Sequence, residues 1–197
     1  IQEGRRFRVN AYYQKGQMAA ALRAIATEIP SAEHLGLPEA IVRLCERPQG
    51  LLLVVGPTGS GKSTTLACLL DRLNRSRACR ILTIEDPIEY DLLGIGQMQV
   101  NPKIEMSFAK GLRAILRQDP DVIFIGEIRD EETAKMALRS AMTGHLVIAT
   151  LHANDSFGVP NRLMDLGIQP STLAGNIICA VAQRLIRATS FVDKTLP

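Results

Sequence analysis

Eight consecutive residues, Gly56-Pro57-Thr58-Gly59-Ser60-Gly61-Lys62-Ser63, constrain this chain more than any other stretch, because they fit G-x-x-x-x-G-K-[ST]. Residues 51–55 before them are all apolar and read as a buried strand, while residues 64–73 after them read as a helix. A strand that breaks into a glycine-rich loop and restarts as a helix aims successive backbone N–H groups at one anion. The positive end of the helix dipole points the same way. Side chains would obstruct the approach, so Gly56, Gly59 and Gly61 are expected to keep it open. Lys62 is expected to reach the β- and γ-phosphates of a nucleoside triphosphate, and the Ser63 hydroxyl to bind Mg²⁺. A flexible glycine turn with a chance lysine would not need a hydrophobic strand before it and an amphipathic helix after it. The motif names what is bound, not what the energy is used for.

The surrounding pattern extends the strand and helix alternation. Residues 5–13 alternate, with Phe7, Val9, Ala11 and Tyr13 on one side and Arg6, Arg8 and Asn10 on the other, which is strand periodicity. Lys15-Gly16 reads as a turn, and residues 18–25 fit a strand or a helix because alanine is so frequent. Pro38 suits the first turn of a helix reaching residue 47. Strands are expected over 80–84, 95–100, 121–125 and 145–150. Helices are expected over 107–117, capped by Ser107, and over 131–142, capped by Asp130. A last helix is expected over 171–187. Such alternation argues a parallel sheet flanked by helices. The expected boundaries are the end of a small N-terminal α/β domain rich in strand over 1–29, a linker over 30–38, the nucleotide-binding domain over 39–190 and a tail over 191–197.

Two acidic segments and one histidine complete the expected site. Four apolar residues, Val122 to Ile125, lead into Gly126-Glu127, where many phosphate-loop enzymes carry Asp-Glu. The usual Mg²⁺-binding Asp is absent, and Glu127 is placed to polarise an attacking water. Its plain alternative is a surface carboxylate paired with Arg129. Glu85, Asp86 and Glu89 follow another strand, and their crowded negative charge calls for a cation. Glu85 and Glu89 are therefore the expected carboxylate partners of the magnesium, beside Ser63, although a solvated acidic loop is a fair rival. His152 lies just past a strand end, where α/β sheets bind ligands, whereas His145 is expected to be a satisfied structural residue.

These elements occur in one order: the glycine-rich loop, T-I-E-D-P-I-E-Y at 83–90, L-R-A-I-L-R-Q-D-P-D-V at 112–122, G-E-I-R-D-E-E-T-A at 126–134 and T-G-H-L-V-I-A-T-L-H at 143–152. Over about residues 5–187 the chain resembles the type II/type IV secretion ATPase superfamily, which holds type II secretion ATPases and type IV pilus assembly and retraction motors. The resemblance implies an α/β fold with a RecA-like P-loop NTPase core, a mostly parallel sheet flanked by helices. It implies ATP and Mg²⁺ as ligands, and hydrolysis within a hexamer between an N-terminal and a C-terminal domain. An inner-membrane platform protein is the implied partner, at the cytoplasmic face of the inner membrane. Residues 56–64, ending on Thr64, match the family's Walker A. Glu85, Asp86 and Glu89 match its Asp box, Gly126 and Glu127 its atypical Walker B, and residues 144–152 its His box. Arginines of the N-terminal domain reach the phosphates in such motors, and Arg8 and Arg23 fall in the matching segments, their forks suited to phosphate oxygens. Arg113 and Arg117, one helical turn apart, are conceivable partners of the Asp box or of a neighbouring subunit.

Composition weighs the rival readings. Trp is absent, aromatics are 4%, and the formal net charge of +3 is spread without a polybasic run. A RecA-like nucleic-acid translocase would be expected to show stacking aromatics and a basic track, so no nucleic acid is expected. A nucleotide-binding fragment that no longer turns over is the other rival, and Lys62, Glu85 and Glu127 argue against it. No apolar run has transmembrane length, so membrane contact is expected through partners. The four cysteines have no C-x-x-C spacing, which disfavours a zinc site or a disulfide framework.

Overall fold

The computed structural model describes residues 6–25 and 28–186. Within them the apolar run ahead of the glycine-rich loop forms β3 (Gly50–Val55), buried at every position. It is an inner strand of a six-stranded sheet whose members are β4 (Ile81–Glu85), β5 (Gly96–Gln99), β6 (Val122–Ile128), β7 (Leu146–Leu151) and β8 (Ile177–Ala182). Their spatial order is β5-β4-β6-β7-β3-β8, and every described pairing is parallel. Parallel strands need crossover connections, which here are mostly helices that cover both faces of the sheet.

Alternation along each strand divides the core in two. Leu51, Leu53 and Val55 join Ile123, Ile125 and Val147 on one face. There α3 (Phe108–Ile115), α4 (Glu131–Met142), α5 (Gly158–Asp165) and α6 (Pro170–Leu173) pack over them. Leu52 and Val54 join Val122, Phe124 and Ile148 on the other face, under α1 (Glu39–Leu44) and α2 (Lys62–Ser76). The expected caps are in place: Ser107 Oγ accepts from the Lys110 N–H at 3.2 Å, and Asp130 Oδ1 from the Thr133 N–H at 2.8 Å.

Ahead of this core, β1 (Arg6–Gln14) and β2 (Gln17–Ile25) form an antiparallel ribbon that turns at Lys15-Gly16. The alanine-rich second segment is therefore a strand. Pairing with β1 decides what its local composition left open. Phe7, Val9, Ala11 and Tyr13 pair with Ala24, Leu22, Ala20 and Met18, giving one continuous apolar face. None of these residues joins either core cluster among the described residues, and Leu22 and Met18 are 64% and 75% exposed.

Two expectations need correction. The helix over 171–187 is instead the four-residue α6 followed by β8, within the described residues. Leu, Ala and Gln there favour helix locally, but Gly175 at positive φ breaks the segment, and β3 offers a free edge that β8 pairs with. Gly158 and Pro160 lie in the first turn of α5, where a missing N–H leaves no intrahelical bond unmade. The helix after Pro38 ends at Leu44, short of residue 47, and Pro38 is its N-cap. The tail over 191–197 lies outside the described residues.

Candidate active site

Four parallel strands end on the same side of the sheet, and each end delivers one expected group. The glycine-rich loop leaves β3, Glu85 closes β4, Glu127 lies near the end of β6, and His152 follows β7. In the loop the glycines divide into two kinds. A side chain on Gly59 would meet nothing within 4 Å, so this position opens outward as expected. A Cβ on Gly56 would lie 2.4 Å from the Gln183 carbonyl oxygen and 2.8 Å from Ser60 Oγ, and one on Gly61 would lie 3.0 Å from Gln183 Nε2. At Gly56 and Gly61, then, the 183–185 segment of the same chain crowds the position, a reason for glycine beside the expected one.

α2 begins directly after Gly61 with no side-chain cap and no acid in its first turn, so its leading N–H groups remain available. Ser60 Oγ is buried and has no hydrogen-bond partner among the described residues, which suits a ligand in the loop. Lys62 Nζ donates to the Gly56 and Pro57 carbonyls at 2.8 and 3.0 Å, spanning the loop. Burial holds its ammonium below the ordinary lysine value. Glu127 opposes that shift, Arg184 adds to it, and Glu89 opposes it. Ser63 is exposed at the mouth of the loop, and the Thr64 hydroxyl lies 3.0 Å from the Tyr90 hydroxyl.

Glu127 owes its direction to an irregularity. The β6–β7 register shifts between Ile125 and Ile128, so Gly126 and Glu127 bulge out of the ladder. The Thr150 hydroxyl, from β7, donates to the Gly126 carbonyl and closes the gap. Glu127 Oε1 lies 2.6 Å from His152 Nε2, and Oε2 accepts from Arg129 Nε. Arg129 also reaches Asp86 Oδ2 at 3.2 Å, so it joins the two acidic segments. The pairing with Arg129 that was the plain alternative for Glu127 is thus present together with the histidine contact.

Gly126 stands where the usual aspartate would. A Cβ there would lie 3.2 Å from both the Glu85 Cα and the Ile84 carbonyl oxygen, a tight approach of β6 to β4 that glycine relieves. Glu85 stands beside that point, on the adjacent strand. It is 9% exposed, and its Oε1 accepts from Thr83 Oγ1 at 2.7 Å and Gln97 Nε2 at 2.9 Å. Burial pushes its carboxyl above the usual carboxylate value, against the opposing pull of the Gln97 and Thr83 hydrogen bonds.

Arg8 and Arg23 are direct cross-strand partners on the ribbon and line a cleft with Pro87, Ile88, Glu89 and Tyr90. The fold thus brings them to the acidic loop rather than against Lys62. Arg113 pairs with Glu132 of α4, not with the Asp box, and Arg117 makes no ion pair among the described residues. The arginine paired with Asp86 of the Asp box within the chain is Arg129, one residue past β6, which the sequence offered only as a partner of Glu127. His145 Nδ1 lies 3.0 Å from the Ser140 carbonyl oxygen, a structural contact as expected. Gln97 and Gln183 had no signal: one is an ordinary polar strand residue, and the other was hidden in an expected helix.

Among the described residues no group of three His, Cys, Asp or Glu is placed to hold a metal ion by itself. The exposed hydroxyl of Ser63 and the carboxylates of Glu85 and Glu89 are oxygen donors of the type a hard cation such as magnesium takes. This hard cation keeps several waters and takes few protein oxygens beside substrate phosphates.

The sequence pattern of the family described as type II/IV secretion system protein matches residues 7–195. Type II secretion system protein E of Dickeya dadantii (strain 3937) is 57% identical over 159 residues, which are 79% of this chain and 32% of that protein. Type II secretion system ATPase E of Vibrio cholerae is 58% identical over 145 residues, 74% of this chain and 29% of that one. Among solved structures, the pilus retraction motor PilT with bound ADP aligns with a TM-score of 0.88 at 46% identity, covering 94% of this chain and 57% of that one. The Legionella pneumophila ATPase DotB aligns at 0.80 and 31% identity, covering 94% and 56%. The chain spans about a third of the length of the curated relatives it matches.

Proposed function

The chain belongs to the type II/IV secretion system protein family, and from that premise we propose that it binds ATP in the loop of residues 56–64 and hydrolyses it to power a pilus or a type II secretion machine. One observation carries the reading: the loop after β3 holds a buried Ser60 hydroxyl with no hydrogen-bond partner among the described residues, and Glu85, Glu127 and His152 come from the ends of three further strands on the same side of the sheet.

In this reading the loop N–H groups and the first turn of α2 receive phosphate oxygens. Lys62 exchanges its two carbonyl partners for the β- and γ-phosphates. Glu127, held by His152 and Arg129, accepts a proton from the water that attacks the γ-phosphorus as the bond to the β,γ-bridging oxygen breaks. His152, half-exposed on the open side of Glu127, is placed to meet the γ-phosphate. Ser63, Glu85 and Glu89 would hold Mg²⁺, which when bound neutralises charge on the phosphate oxygens. Arg8 and Arg23 supply further positive charge from the ribbon.

The motor is proposed to be a homo-oligomer, a hexamer by resemblance to the family, working in the cytoplasm against an inner-membrane platform protein. No described helix is long and apolar enough to cross a membrane. Nucleic acid is not a proposed partner. ATPase turnover with and without single-stranded DNA checks that point, because strong stimulation would favour a translocase. Lys62→Ala is expected to abolish nucleotide binding and turnover together, and full activity in that variant would refute the site. Sedimentation with a non-hydrolysable ATP analogue is expected to show a nucleotide-stabilised oligomer.

A further inference from the structure

β8 continues past its last strand residue into a segment that lies against the glycine-rich loop. The Gln183 N–H donates to the Val55 carbonyl at 2.9 Å, which extends the β3 ladder to the last residue before the loop. The Gln183 side chain then crosses to α2, where its Oε1 accepts from Thr65 Oγ1 at 3.0 Å. Its carbonyl oxygen occupies the space a side chain on Gly56 would need, and its Nε2 borders the space above Gly61. Arg184 ties the same segment sideways, donating to the Gln183 carbonyl and, from its other terminal nitrogen, to the Asn154 carbonyl just beyond His152. The two ends of the loop and its first helical turn are thus held from one residue, and that residue is joined to the loop carrying the histidine.

We propose that Gln183 is a positioning residue for nucleotide binding: residues 183 and 184 form a strap that sets the curvature of the phosphate loop through Thr65, Gly56 and Gly61. The inference rests on the nucleotide-site reading above. Thr65 is buried, so a hydroxyl left without its acceptor would find no water in exchange. The loop N–H groups converge on an anion when their carrier is held in one shape, and a strap absorbs that ordering before the ligand arrives.

The test is a double-mutant cycle in the full chain, read as the dissociation constant of a fluorescent ATP analogue, with thermal melting run beside it. Gln183→Leu and Thr65→Val are each expected to weaken binding about fivefold, the effect of one lost hydrogen bond. The pair together is expected to weaken it by about the same fivefold rather than by about twenty-five, because both remove one interaction. Thr65→Ser keeps the hydroxyl and is expected to bind within about twofold of the parent. If Gln183→Leu does not fold, the contrast between Thr65→Val and Thr65→Ser decides alone. Lys62→Ala separates the two ideas. Unchanged binding in Lys62→Ala sinks the nucleotide site itself. Lost binding in Lys62→Ala with unchanged binding in Thr65→Val and Gln183→Leu sinks the strap, as does a twenty-five-fold loss in the pair.

Discussion

The six-stranded sheet and the two-stranded ribbon are both built from alternating or continuous apolar strands, yet they stand in opposite relation to water. Ile123 in β6 is fully buried on the face covered by α3 and α4, whereas Leu22 in β2 pairs with Val9 and remains mostly exposed. The sheet therefore carries its own core. A two-stranded ribbon alone buries too little to be independently stable, so its apolar face has unmet packing. The consequence for the site is a division between groups rigidly held and groups carried on a lightly anchored arm. The loop, Glu85, Glu127 and His152 belong to the first kind, and Arg8 and Arg23 to the second.

Chemistry gives the sharpest test of that division. Glu127→Gln is expected to lower ATP turnover by about a thousandfold, within the usual range for a general base. Arg8→Ala or Arg23→Ala is expected to lower it about tenfold, the scale of one hydrogen bond to a charged group. A ribbon arginine matching the loss at Glu127 would break the comparison. Stability comes next. Ile123→Ala is expected to cost about 3 kcal/mol in urea unfolding. Leu22→Ala should change stability by no more than about 0.5 kcal/mol. Equal losses would mean that the ribbon's apolar face is covered in solution.

A further test concerns Glu85, the one buried acid among the described residues. The folded chain holds the Glu85 carboxyl above its ordinary value through burial. Its contribution to stability is therefore present below the unfolded value and is lost as pH rises through the folded one. Above its folded value the parent carries an ionised buried carboxylate, so Glu85→Gln is expected to gain about 1 kcal/mol there, the common scale of a single substitution. That gain should vanish below about pH 4, where the parent carboxyl is neutral. Thermal melting of both proteins across pH checks it, and a gain that grows towards acid would reverse the sign of the argument.

What the sequence revealed and what it withheld follow a physical line. Ser107 and Asp130 announced their helices because a cap is satisfied by neighbours three residues away. The glycine-rich loop was equally plain, since strand, turn and helix there are contiguous. β8 was misread because its identity depends on an edge supplied by β3, more than a hundred residues earlier in the chain, while its own Ala and Leu neighbours speak for helix. Arg113 went to Glu132 rather than to the Asp box for the same kind of reason, since α4 packs beside α3 and places an opposite charge nearer. The strap was invisible because it was written inside the misread element. Glu85, Glu127 and His152 were named from their positions at strand ends, and the parallel order of the sheet is what makes such positions coincide.

The close approach of β6 to β4 at Gly126 also couples the two strands mechanically. A side chain at position 126 would require the β4 backbone at Glu85 to give by a few tenths of an ångström. A substitution there would therefore be felt first on the neighbouring strand, in the aim of the Glu85 carboxylate.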